Sequence, residues 1–109
     1  MRDDDAIRIR HMLDAAREAI GFASGRTSEE LAQDRMLLSL VKCVEILGEA
    51  ASKVTDATRE SLPEIPWSDI ISMRNRLIHG YFDIDTTIVW KTVTIELPPL
   101  EHALEKVLL

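Results

Sequence analysis

Apolar residues recur at three- and four-residue steps along most of the chain, and that period predicts helices. Ala6, Ile9, Leu13, Ala16, Ile20 and Ala23 trace one helical face, with Arg8, Arg10, Asp14, Arg17 and Glu18 on the others. Asp3, Asp4 and Asp5 place negative charge at the amino end of this helix, and Gly25 is positioned to stop it. Thr27 and Glu30 have capping-box spacing and open a short turn or the entry to the next helix. A second long helix is predicted from about Asp34 to Asp56. Its main stripe is Leu37, Leu40, Val41, Val44, Gly48, Ala51 and Val54, and Leu38 and Ile46 form a second apolar side. A helix apolar on two sides is usually covered on both, which points to a central helix or to a surface given to a second copy of the chain. Gly48, Ala50 and Ala51 make a smooth patch where another backbone can come close.

Thr55 to Leu62 is polar and reads as a frayed end or a short turn. Pro63 and Pro66 interrupt the chain, and Pro66 suits the first residue of a third helix that carries Trp67, Ile70, Ile71, Met73, Leu77 and Ile78 and ends at Gly80. Asp83 or Asp85 can cap a fourth. The run from Thr86 to Ile95 is rich in β-branched residues and by propensity alone would be a strand. Val89, Val93, Leu97, Leu100, Leu104 and Val107 nevertheless keep helical spacing, and a lone strand would have no sheet to join. The expectation is therefore a helix, kinked or broken at Pro98-Pro99. The whole pattern predicts an all-α chain of four to five helices in one domain, residues 1–109.

With 109 residues the chain is long enough to bury one core. Its 46% hydrophobic and 29% charged residues are those of a globular protein, and no apolar run is long enough to span a bilayer. The start, Met1-Arg2-Asp3-Asp4-Asp5, is too acidic for a signal peptide, so the expected location is the cytoplasm. The single cysteine, Cys43, has no internal partner and reads as a buried small hydrophobe rather than a nucleophile. A net charge of −6 argues against a protein that coats nucleic acid generally. Any nucleic-acid contact would need a local concentration of positive charge.

Arg74-Asn75-Arg76-Leu77-Ile78-His79-Gly80-Tyr81 supplies that concentration. It offers guanidinium groups that can fork onto a phosphate and an imidazole that gains or loses a proton near neutral pH. The same residues would also suit an ordinary helix end, with Gly80 as a left-handed cap and the arginines complementing the dipole. Arg74 and His79 stand five residues apart, roughly 140° around an ideal helix, so they cannot both face one phosphate from a regular helix. Either the last turn unwinds, or a second subunit completes the site. Glu45 and Glu49 share a face and read as a solvated edge paired with Lys42 or Lys53. His11 and His102 read as solvated. The sequence contains no CxxC pair, HExxH, paired acidic loop, glycine-rich phosphate loop or Gly-x-Ser-x-Gly elbow, so no metal site or bound cofactor is expected.

Arg74, His79 and Tyr81 form an Arg-x4-His-x-Tyr motif, with polar Asn75 after the arginine. In this the chain resembles the HepT-like toxins of the HEPN superfamily. The likeness extends to Ile46-Leu47-Gly48-Glu49-Ala50-Ala51, to Pro66-Trp67 through Met73, and to Tyr81-Phe82-Asp83-Ile84-Asp85, Val89-Trp90 and Glu96-Leu97-Pro98. The resemblance implies an antiparallel helical bundle that forms a homodimer with the two motifs facing each other. It implies a metal-independent endoribonuclease in which His79 is general acid or base and Arg74 stabilises the phosphorane. Asn75 would orient a phosphate or the imidazole. Arg76 either adds positive potential for RNA or is simply solvated. It further implies a type VII-like toxin–antitoxin pair, whose minimal nucleotidyltransferase (MntA-type) antitoxin attaches AMP to Tyr81. Two other readings stand beside it: a non-catalytic helical dimer that binds a nucleotide or the nucleotidyltransferase, and a dimerisation module whose motif only caps a helix.

Overall fold

The computed structural model describes residues 1–33, 35–78 and 83–109, with side chains in the first stretch as far as 31. Among them the chain is all-α. The helices are α1 (Asp3–Ala23), α2 (Ser28–Gln33), α3 (Met36–Ser52), α4 (Asp56–Ser61), α5 (Trp67–Leu77), α6 (Thr86–Lys91) and α7 (Leu97–Val107). A π-helical turn, Thr92–Glu96, joins α6 to α7. Four long rods make the bundle. The short α2 forms where the capping-box spacing predicts a helical turn or helix entry, and α4 forms in a polar segment that reads as a frayed end or a short turn. No helix among the described residues is long and apolar enough to cross a membrane.

Helix α1 packs against α3 on one side and against α7 and the π-turn on another. It can do so because its buried face is both wide and small. Ile9, Met12, Leu13, Ala15, Ala16, Ala19 and Ala23 are all buried, and the four alanines let neighbouring backbones approach. The helix ends where the glycine predicts: Ser24 leaves helical geometry, and Gly25 has φ 75°. The Thr27 hydroxyl accepts from the Glu30 amide at 3.3 Å, as the capping-box spacing predicts.

The predicted run to Asp56 is too long, for α3 stops at Ser52. Its end is closed by groups distant in sequence. Arg59 of α4 donates to the carbonyls of Ala51, Ser52 and Val54 at 3.1, 2.8 and 3.0 Å, satisfying acceptors that a longer helix would have used itself. Thr55 then becomes the N-cap residue of α4 and is held by Asp5. The Asp5 carboxylate is buried and accepts from the Thr55 amide at 3.0 Å and from the Thr55 and Thr58 hydroxyls at 2.7 and 2.6 Å. Asp3 and Asp4 stay exposed at the start of α1, as expected, but Asp5 is a tether between α1 and α4.

Those hydrogen bonds, foremost from the Thr55 and Thr58 hydroxyls, hold the Asp5 carboxyl down from its ordinary 3.8 to about 2. A depressed folded-state pKa stabilises only while the group is ionised. The contribution is therefore complete above about pH 4 and is lost as pH falls through about 2. Asp5→Ala is expected to lower unfolding stability at neutral pH by about 2–3 kcal/mol. Denaturant titrations between pH 2 and 5 should show a shallower acid dependence for the variant than for the native chain.

Helix α5 begins after Pro66, which is the N-cap residue rather than the first helical one. Trp67 anchors this joint, buried and donating its indole N–H to the Leu62 carbonyl at 3.1 Å. Gly48 of α3 sets how closely α5 lies. A Cβ there would stand 3.1 Å from the Ile70 carbonyl oxygen and 3.5 Å from that of Ile71. The smooth patch thus receives α5 of the same chain.

The β-branched segment is helical, as the spacing of Val89, Val93, Leu97, Leu100 and Leu104 predicts, and all five are buried. Asp85 caps it, accepting from the Ile88 amide at 3.0 Å. Pro98 and Pro99 do not break the rod. They occupy the first turn of α7, where their missing amides matter least, and the π-turn just before them absorbs the mismatch.

Candidate active site

The last turn of α5 carries Arg74, Asn75 and Arg76. The helix then ends at Leu77, and Ile78 is extended with φ −121° and ψ 119°. Ile78 pairs with Ile84 in an antiparallel bridge, and the Asp85 amide donates to the Leu77 carbonyl at 2.8 Å. The chain therefore leaves α5 and returns to it at one point. His79, Gly80 and Tyr81 of the motif lie outside the described residues, and so does the expected Gly80 cap. Because the helix stops before position 79, the 140° separation of a regular helix no longer applies to Arg74 and His79.

The two arginines diverge, as positions two apart on a helix must. Arg74 turns to α3, where its Nε donates to Glu45 Oε1 at 3.1 Å. Glu45 thus pairs across to α5 and not with Lys42 or Lys53, whereas Glu49 does pair with Lys53 at 3.5 Å. The Arg74 side chain remains 52% exposed and that of Glu45 33%, so water screens the pair. The terminal Arg74 nitrogens have no acceptor among the described residues. Arg76 turns the other way and reaches Glu96 of the π-turn at 3.4 Å. Its Nε and Nη2 are shielded from solvent and have no acceptor among the described residues. Asn75, between them, is exposed.

Arg74 opens onto a groove of about 450 Å³ walled by α1 and α3. Ile46 and Glu49 of α3 line it, as does His11 of α1, which is exposed as expected for a solvated histidine. The pairing of Glu45 with Arg74 escapes sequence reading because it depends on how near α5 lies to α3. The signal for that closeness is Gly48, one turn further along α3.

Cys43 is buried, and burial pushes its thiol up to about 11, helped by the negative charge of Glu18. It is a core residue and no nucleophile at neutral pH.

Residues 12–107 match the family described as Ribonuclease HepT-like. A protein named a probable ribonuclease HepT in Thermococcus cleftensis is 36% identical over 76 residues, covering 70% of this chain and 69% of its own. A protein of Methanocaldococcus jannaschii provisionally named an RNase is 34% identical over 92 residues, covering 84% of this chain and 76% of its own. Another, provisionally named an RNase in Caldanaerobacter subterraneus, is 33% identical over 101 residues and covers 92% and 90%. No solved structure matches the chain.

Proposed function

Because the chain belongs to the HepT-like ribonuclease family, we propose that it is a metal-independent endoribonuclease built on Arg74 and His79. The ribose 2′-oxygen attacks the adjacent phosphorus, and the bond from phosphorus to the 5′-oxygen breaks. His79 takes the 2′ proton or delivers one to the departing 5′-oxygen. Arg74 neutralises the charge that builds on the phosphorane oxygens. No step needs a metal ion, since a guanidinium and an imidazole supply both the charge and the proton transfer. Asn75 orients a phosphate or the imidazole. Arg76, turned toward Glu96, adds positive potential for RNA from the far side of α5.

The observation that carries this reading is the state of Arg74. It sits in the last turn of α5, lightly held by a carboxylate one-third exposed, and lines a groove. An anionic oxygen can take over the guanidinium at little cost, because an exposed pair of this kind is worth about 0–1 kcal/mol.

The active form is a homodimer. Leu38, Ile46 and Ile71 are 62%, 42% and 36% exposed. Ile46 lines the Arg74 groove, and Ile71 lies one turn before Arg74 on the same face of α5. Apolar positions collected beside the motif favour a second copy as their cover. In the cell the enzyme is the toxin of a type VII-like pair and is held in check by a minimal nucleotidyltransferase antitoxin. AMP attached to Tyr81 would add bulk and negative charge to the motif and close the pocket to RNA.

Expression of the chain without a partner, in parallel with His79→Ala and Arg74→Ala, tests the proposal. The native chain should arrest growth and degrade cellular RNA, and both variants should be harmless. Equal behaviour of all three would refute it. Co-expression of the nucleotidyltransferase should restore growth and add the mass of AMP to the peptide holding Tyr81.

A further inference from the structure

The chain is acidic overall, yet the groove beside Arg74 is not. Arg8 of α1, Lys42 and Lys53 of α3, and Arg74 of α5 bring four permanent cations to it, against the carboxylates of Glu45 and Glu49. Each carboxylate is already matched, Glu45 by Arg74 at 3.1 Å and Glu49 by Lys53 at 3.5 Å. That leaves Arg8 and Lys42 as the uncompensated charges, with no partner among the described residues, and the His11 imidazole sits one turn along α1 from Arg8. These groups come from two helices and converge on one concave surface. Uncompensated cations along a trough suit a single nucleic-acid strand, because the cations follow its phosphates.

We infer that the α1–α3 groove is the track for the RNA strand beside the cut, with Arg8 and Lys42 holding phosphates that flank the scissile one and His11 donating a hydrogen bond to the same backbone. The inference rests on the reading of Arg74 as the scissile-phosphate ligand. Glu45 occupies that guanidinium until the incoming strand displaces it. Arg8, His11 and Lys42 are thus positioning residues, which fix the strand and take no part in bond breaking.

The test uses a short fluorescent 2′-O-methyl oligonucleotide, which has no free 2′-hydroxyl and cannot be cut by this route. Its binding is measured by anisotropy across salt concentrations from about 50 to about 200 mM, where each phosphate contact to a single strand contributes about 0.7 to the logarithmic salt slope. The Arg8→Gln/Lys42→Gln double variant should lose about 1.4 of that slope and bind about 10-fold or more weakly at the lowest salt. Lys91→Gln/Lys106→Gln removes the same net charge at exposed sites outside the groove and should leave the slope unchanged. On cleavable RNA, the groove variant should raise KM and keep kcat. Equal slopes for the two double variants, or an unbound oligonucleotide, would overturn the inference. Cleavage with a groove-independent slope would sink the track and spare the catalytic reading. Groove-dependent binding without cleavage would do the reverse.

Discussion

Arg74→Ala is expected to lower kcat for RNA cleavage by about 10²–10³, the loss typical when one preorganised oxyanion ligand is removed. His79→Ala should cost about 10²–10⁴ by removing the proton donor or acceptor. Arg74→Lys should fall between the native chain and the alanine variant, because an ammonium keeps the charge and loses the fork that grips two phosphate oxygens. The distinguishing feature is that Arg74→Ala leaves stability almost untouched. Arg74 is half-exposed and among the described residues pairs only with Glu45, itself one-third exposed, so its deletion should cost at most about 1 kcal/mol of folding free energy. Thermal melting and single-turnover cleavage on the same preparations check both halves of the statement. A melting point that fell in step with activity would assign Arg74 to the scaffold.

Gly48 should behave in the opposite way. Its helix runs so close to α5 that a Cβ would meet the Ile70 carbonyl oxygen at 3.1 Å, a backbone atom that cannot rotate aside. Gly48→Ala asks α5 to give by a few tenths of an ångström, and the better helix propensity of alanine, about 1 kcal/mol, works against that strain. The two effects should nearly cancel. Gly48→Val places methyl groups into the α5 backbone and should destabilise by about 2–3 kcal/mol. Arg74 lies one turn beyond Ile70 on α5, so a displaced helix also carries the guanidinium away from Glu45 and the groove. Stability and cleavage should therefore fall together. Gly21→Ala is the control: it is a helical glycine with nothing within 4 Å of a new Cβ, and it should be neutral or slightly stabilising. Urea titration of the three variants, paired with cleavage rates, measures this. An unaffected Gly48→Val would mean that the α3–α5 contact does not position the site.

Local and periodic information carried most of the fold. Gly25, the Thr27 cap, the Asp85 cap and the helical spacing from Val89 to Leu104 all act within a few residues of where they are read. Long-range partners account for what was missed. The end of α3 depends on Arg59 reaching back to three carbonyls, and Asp5 looks like any first-turn acid until Thr55 and Thr58 are brought beside it. The second apolar side of α3 was visible as Leu38 and Ile46, and both are exposed within the chain. At the site, Arg74 and the divergence of Arg76 follow from helix geometry. The partner of Arg74 and the meeting of Arg8, His11 and Lys42 in its groove do not, because three helices must pack before those residues share a surface.

The chemistry of the cut ends tests the central claim most directly. Purified chain, free of any partner, is incubated with a defined RNA in excess EDTA, and both new termini are identified. Attack by the 2′-oxygen without a metal ion predicts undiminished cleavage that leaves a 2′,3′-cyclic phosphate and a 5′-hydroxyl. Cleavage that stops with EDTA, or that leaves a 3′-hydroxyl and a 5′-phosphate, would contradict a site built from Arg74 and His79 alone.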